Sequence, residues 1–281
     1  MENKLNLIVS VFGFWLVGLT VCSYGQAQAN AEITPQAQEA AETHESNALL
    51  PEDVTPASLD DENLEAIRNA TVLITMQTIT TKESGQYSVI EAYGLGSLVS
   101  FPDNVLLVTH NHWGDMLDGN TAVKFYDAEN HLIHSMAVRK FKELTLDANP
   151  GVLILQAPDE LLETLLPIRY TEAHPVTVGD VVSIAYRENP DRKKVAIQQA
   201  VIEQVTTLEN HQVYQVNSLD GQVIQPGDSG GGLWLDGEFV GLNWMTEEKE
   251  LTVEASPTDG SLTTVGYTGT SYAAAFKDID F

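Results

Sequence analysis

From Ala70 onward the chain breaks into short, strongly β-branched segments, and turn signals separate them at close intervals. Thr71–Ile79 is partly alternating. Gly85 turns it, and Tyr87–Tyr93 returns and runs on through Gly94–Ser100. After a turn at Pro102–Asn104 come Val105–Thr109, Ala122–Tyr126, Ile133–Lys140, Val152–Gln156, Val181–Tyr186, Ala196–Val205, Val213–Val216, Gly232–Trp234 and Phe239–Trp244. That spacing predicts an all-β sandwich or barrel and argues against βαβ units. Asp159–Leu166 reads as one or two helical turns, placed midway to link two lobes.

The chain of 281 residues is long enough for one sizeable domain or two small lobes. Forty acidic and 14 basic side chains leave a net charge of −26, which repels nucleic acid and anionic lipid and argues against both as partners. Cys22 is the one cysteine, so neither a disulfide framework nor a cysteine metal site is available. It lies in the apolar run Leu5–Val21 and its edge, before Ala27-Gln28-Ala29. That pattern reads as a secretory signal peptide over 1–29, cut after Ala29, giving a secreted or periplasmic product. Retention as a membrane anchor, or a lipid on Cys22, is the alternative; only then is a membrane involved. Residues 30–65 are acidic, contain no lysine or arginine, and read as a flexible tether. A short helix over 59–66 leads into the folded domain, 66–281.

Two stretches carry chemistry. In Pro226-Gly227-Asp228-Ser229-Gly230-Gly231-Gly232 a small nucleophile sits among glycines, which permit a tight bend and close approach to a substrate. A plain Gly-rich turn between strands is the competing reading. A serine needs a base, and Leu106-Leu107-Val108-Thr109-His110-Asn111-His112 ends an apolar strand in two histidines. His44, His131, His134, His174 and His211 lie in polar loops or at strand ends and read as surface residues.

Thr109-x-x-His112 after an apolar strand resembles the base segment of trypsin-like serine peptidases, including the bacterial HtrA-like branch, here without a PDZ domain. Gly94-Leu95-Gly96-Ser97 upstream, Val178-Gly179-Asp180, Gly227-Asp228-Ser229-Gly230-Gly231 and Phe239-Val240-Gly241-Leu242 are similar to further landmarks of that family, in order, from about Ala70 to Ala275. The resemblance implies two six-stranded antiparallel β-barrels, about 70–165 and 175–270, with a short C-terminal helix. It implies a serine endopeptidase with Ser229 as nucleophile and His112 as general base, His110 being the competing choice. Gly227 and Ser229 N–H groups form its oxyanion hole. Val223, Asn243 and Trp244 flank its pocket, where Val223 argues against a Lys/Arg preference. It implies a protein or peptide substrate, no cofactor and no metal, and leaves the oligomeric state open. No activation sequence precedes Thr71, so Asp228 lacks the new amino terminus that trypsin uses.

One position departs from the family. An aspartate is expected directly before Val152, and Gly151 stands there. Asp147 is the nearest carboxylate and is assigned to orient His112 through a kink at Pro150-Gly151; Asn149, Asp115 and Asp118 are alternatives. Two rival readings follow. A pseudopeptidase would bind extended peptides without cutting them, as Gly151 suggests. A metal hydrolase would use His110 and His112, but Gly114 and Asp115 break the ligand spacing it requires.

Overall fold

The computed structural model describes residues 61–81, 87–113, 117, 121–149, 151–170, 175–188, 193–208, 211–219, 224–255 and 262–276. The segments expected to be a signal peptide and, nearly all of it, a tether lie outside them, as does the expected C-terminal helix. The described chain opens with helix α1 (Asp61–Ala70), where Thr71 Oγ1 donates to Ile67 O at 2.7 Å and Ile67 and Ala70 are buried.

Seven strands and one short addition form the N-terminal lobe: β1 (Thr71–Thr81), β2 (Tyr87–Ser100), β3 (Val105–Thr109), β4 (Thr121–Tyr126), β5 (Leu132–Ala137), β6 (Thr145–Asn149), β7 (Val152–Gln156) and β8 (Ile168–Arg169). Their order is β5-β4-β1-β2-β3-β7-β6, with β8 parallel to the end of β2. Six strands form a closed C-terminal barrel: β9 (Val181–Arg187), β10 (Val195–Leu208), β11 (His211–Ser218), β12 (Gly232–Leu235), β13 (Glu238–Ala255) and β14 (Leu262–Ala275), ordered β10-β11-β14-β13-β12-β9. The all-β, two-lobed architecture is the one expected.

The first lobe differs in detail, because the described strands leave β5 and β6 as unpaired edges. Helix α2 (Val138–Glu143) joins those edges and buries Val138 and Phe141. The strand expected over Ile133–Lys140 therefore ends at Ala137. Val138 and Phe141 are three residues apart with charged neighbours, a helical spacing rather than an alternating one. Helix α3 (Asp159–Leu162) is one turn, as the midway segment suggested.

Three apolar clusters hold the lobes. One fills the N-terminal lobe around Ile74, Phe125, Phe141 and Leu155, and one fills the C-terminal barrel around Ile184, Ile202 and Leu233. The third lies between them, where Leu95, Val108 and Ile154 meet Ala185, Trp234, Phe239 and Trp244. Leu95 of this layer also holds the Ser229 backbone through its N–H. At the layer's surface Glu129 pairs with Arg68 and accepts from Lys194 at 2.6 Å, and that hydrogen bond lowers the Glu129 pKa and raises that of Lys194. Such exposed pairs add little to stability.

Candidate active site

Gln225, Pro226, Gly227 and Asp228 form a tight turn. Asp228 N–H donates to Gln225 O at 2.9 Å, and Gly227 has φ +93°. Proline at the second position and left-handed glycine at the third are the requirements of a type II turn. The Asp228 carboxylate is 1% exposed. Its Oδ1 accepts from Arg187 N–H and its Oδ2 from Gln225 N–H, each at 2.8 Å. A buried charge must be hydrogen-bonded, and these two amides do that without a newly cut amino terminus.

The serine is held from both lobes. Leu95 N–H donates to Ser229 O at 2.8 Å, and Gly230 N–H to Asn243 O at 2.8 Å. Asn243 Nδ2 donates to Ala185 O at 2.9 Å and to Asp228 O at 3.3 Å. Asn243 is fully buried, so it braces the turn from beneath instead of flanking a pocket as expected. Among the described residues, the N–H groups of Gly227 and Ser229 donate to no protein acceptor. Two amide donors two residues apart on a fixed turn are what an oxyanion requires. The Ser229 hydroxyl makes one long contact, 3.5 Å to Trp244 O.

The histidine segment meets this turn at Gly230. A Cβ there would stand 2.8 Å from Thr109 Oγ1 and 3.0 Å from His110 N. Thr109 Oγ1 donates to Leu95 O at 2.5 Å, which ties the end of β3 to β2. The two histidines then separate in role. His110 is 4% exposed and its ring lies 4.1 Å from Trp113. Its Nε2 faces Gly94 in the interior, where a Cβ would approach to 2.4 Å. His112 keeps an exposed edge, and the two imidazole centroids are 4.8 Å apart. Burial holds His110 well below the ordinary histidine value, with His112 adding to the effect. Desolvation also lowers His112, to about 4.

Asp147 is not brought to His112. Residues 145–156, expected to be a loop followed by a strand, form a β6–β7 hairpin that pairs Asp147 with Ile154 and Asn149 with Val152. Among the described residues no hydrogen bond or ion pair joins Asp147 to His112. Strand β7 intervenes between β6 and β3, setting Ala148 about two strand spacings, roughly 10 Å, from Thr109 in the same row. Asp147 is exposed, and its Oδ1 accepts from Ala148 N–H at 2.8 Å. Gly151 has φ +87°, and a Cβ there would meet the Trp244 indole at 3.0–3.1 Å. The indole thus covers the position at which an aspartate was expected. Trp244 is 6% exposed, and the next residue, Met245, is exposed. Val223, Asp115 and Asp118 lie outside the described residues, as do the side-chain contacts of Asn149.

Tyr93 and Arg187 were not singled out from the sequence, yet they flank Gly227. Each comes within 3.5 Å of a Cβ built at that glycine, and the Arg187 guanidinium lies 4.6 Å from the Tyr93 ring centroid. Burial, then the Glu91 carboxylate that accepts its hydroxyl, pushes Tyr93 up to about 12. Both residues lie on separate lobes, so no local spacing could have paired them. Among the described residues no three His, Cys, Asp or Glu converge on a metal position.

No protein-family model matches the chain, and no characterised protein matches it by sequence. Solved structures do. A serine-to-alanine variant of the HtrA-type protease AlgW, solved with a decapeptide, superimposes with a TM-score of 0.53 at 14% identity, over 77% of this chain and 63% of that one. The fold is the trypsin-like double barrel. The active form of the Rv3671c protease from M. tuberculosis aligns over 79% of this chain and 82% of its own, with a TM-score of 0.46 and 18% identity. Among the described residues Ser229 and His112 make no hydrogen bond to each other.

Proposed function

We propose that the chain is a serine hydrolase acting on peptide bonds. The observation that carries this reading is the Pro226–Gly230 turn, with a partly exposed serine and two unengaged amides held in place by buried Asp228 and Asn243. Ser229 Oγ attacks the carbonyl carbon while His112 takes its proton. The Gly227 and Ser229 N–H groups hold the resulting oxyanion. Collapse releases the amine, which leaves with the proton from His112, and an acyl-enzyme remains on Ser229. Water, deprotonated by His112, then releases the acid. His110, with Nε2 turned inward to Gly94, is not placed for this exchange. Peptides bound to a neighbouring fold agree with an extended peptide as substrate. We also infer export after cleavage near Ala29; sequencing the amino terminus of the processed protein checks this.

The direct test is covalent labelling by a fluorophosphonate. Wild type is expected to label, and Ser229→Ala and His112→Ala to lose labelling while keeping the melting temperature. A folded wild type that never labels overturns the reading. It would favour the peptide-binding alternative, which the outward-turned Asp147 and the covered Gly151 position support.

The histidine environment predicts a pH dependence. With no described carboxylate beside it, desolvation keeps His112 neutral at pH values where an ordinary histidine, near 6.5, is already protonated. The labelling rate should therefore hold steady from pH 8 down through 6.5 and fall only below about 6. A midpoint at 6.5 or above would mean that a negative group reaches the ring. Stability follows the same groups. Between the folded and unfolded values the unfolded chain binds more protons, so stability is full above about 6.5 and declines as pH falls toward 4.

A further inference from the structure

His110 has an arrangement that the reaction above does not use. His112 N–H donates to His110 Nδ1 at 3.1 Å. An acceptor nitrogen carries no proton, so the neutral ring bears its proton on Nε2. That nitrogen is buried and, among the described residues, has no hydrogen-bond partner. Leaving such a buried donor unpaired destabilises the fold. An aromatic or aliphatic side chain would pack against Trp113 and Gly94 without that cost. What the imidazole supplies in return is one acceptor, aimed at the backbone of the residue that carries the base.

We propose that His110 is a positioning residue for His112: its buried Nδ1 fixes the backbone of the base, and its ring supports one side of the base, in a site where no described carboxylate does so. This rests on the serine-hydrolase reading. The side-chain acceptor of residue i takes the N–H of residue i+2, the geometry of an Asx turn, so the link sets the chain direction leaving β3. His110 is itself fixed on three sides. The Trp113 ring lies tilted against it, Gly94 faces Nε2, and Thr109 is held to Leu95. A neutral imidazole orients without supplying negative charge. It therefore does not stabilise the imidazolium that forms during attack. Loss of the orienting carboxylate in a triad lowers turnover about 10⁴-fold, so slow acylation is expected even with a correctly aimed base.

The test compares replacements that keep or remove the acceptor. His110→Asn retains an oxygen that can take the His112 N–H, whereas His110→Leu fills similar space without one. The leucine variant should label at least tenfold more slowly than wild type, and the asparagine variant should recover most of that loss. Gly94→Ala gives an independent check. Its Cβ would displace His110 Nε2 and the Trp113 ring, so it should slow labelling like the leucine variant. It also serves if the leucine variant does not fold. Equal rates in the asparagine and leucine variants overturn the proposal. If both match wild type, His110 has no role; if both are inactive, its imidazole is itself the reacting group. A wild type that fails to label refutes the hydrolase reading instead, and the two failures are thus distinguishable.

Discussion

Gly230→Ala is expected to destroy the site and to destabilise the fold by about 3 kcal/mol or more, a drop in melting temperature on the order of 10 °C for a chain of this size. The residue has φ +86°, which costs an L-residue roughly 1–2 kcal/mol by itself. The larger part is steric. The new Cβ would stand 2.1 Å from Leu95 O, 2.8 Å from Thr109 Oγ1 and 3.0 Å from His110 N. None of these atoms yields cheaply. Leu95 O accepts the Thr109 hydroxyl, and the Leu95 amide holds Ser229 O. Moving the strand would break the contact between lobes, shift both histidines and release the nucleophile together. Gly179→Ala is the control. It has φ +96° but nothing within 4 Å of the added atom, so only the backbone cost of roughly 1–2 kcal/mol applies. Calorimetry of the two variants separates the terms. Equal losses would show that the close packing between the β2–β3 edge and the serine turn is not what makes position 230 a glycine.

The parts of this architecture that were legible in the sequence depend on short-range rules. Val105–Thr109 and Val152–Gln156 appear at their expected boundaries, because each is a continuous apolar run buried on both faces and bounded by turns. The serine turn was legible because Pro226 and Gly227 satisfy one backbone geometry. Other parts depend on pairing across distance. β6 contains Asp147 and Ala148, poor strand formers, and is extended because β7 pairs with it. β13 and β14 run well past Trp244, through Ala255 and from Leu262, as a single antiparallel pair. That continuation needs its partner strand to be recognised. Asn243 sits beside Trp244 in sequence, yet strand alternation sends it beneath the serine turn, which a position count alone does not reveal.

Asp228 shows the same limit in chemistry. Without a new amino terminus to pair with, the carboxylate looked unsatisfied in the sequence. In the fold, two backbone amides from Arg187 and Gln225 satisfy it. Arg187 ends β9 and lies 41 residues away. The serine turn is therefore tied to the barrel wall through the Asp228 carboxylate.

Gly151→Asp, the substitution that places a carboxylate where the family would have one, is expected to give no gain in labelling and to lower stability by about 1–3 kcal/mol. If the position were an open socket beside the base, a restored triad could raise the rate by as much as about 10⁴-fold. Two features close it. The φ of +87° disfavours any side chain, although aspartate tolerates this region better than most. The Trp244 indole also lies within 3.0–3.1 Å of the added Cβ, so the carboxylate would have to displace a buried ring. The double variant Gly151→Asp/Trp244→Ala distinguishes the two. Removing the indole relieves the clash but leaves the backbone strain, so the double variant should lose less stability than the sum of the single changes. A strictly additive pair would mean that the indole already has room to move. A tenfold or greater rise in labelling by Gly151→Asp alone would show that position 151 still faces the base, and that the glycine is a lost catalytic residue in an otherwise intact triad site.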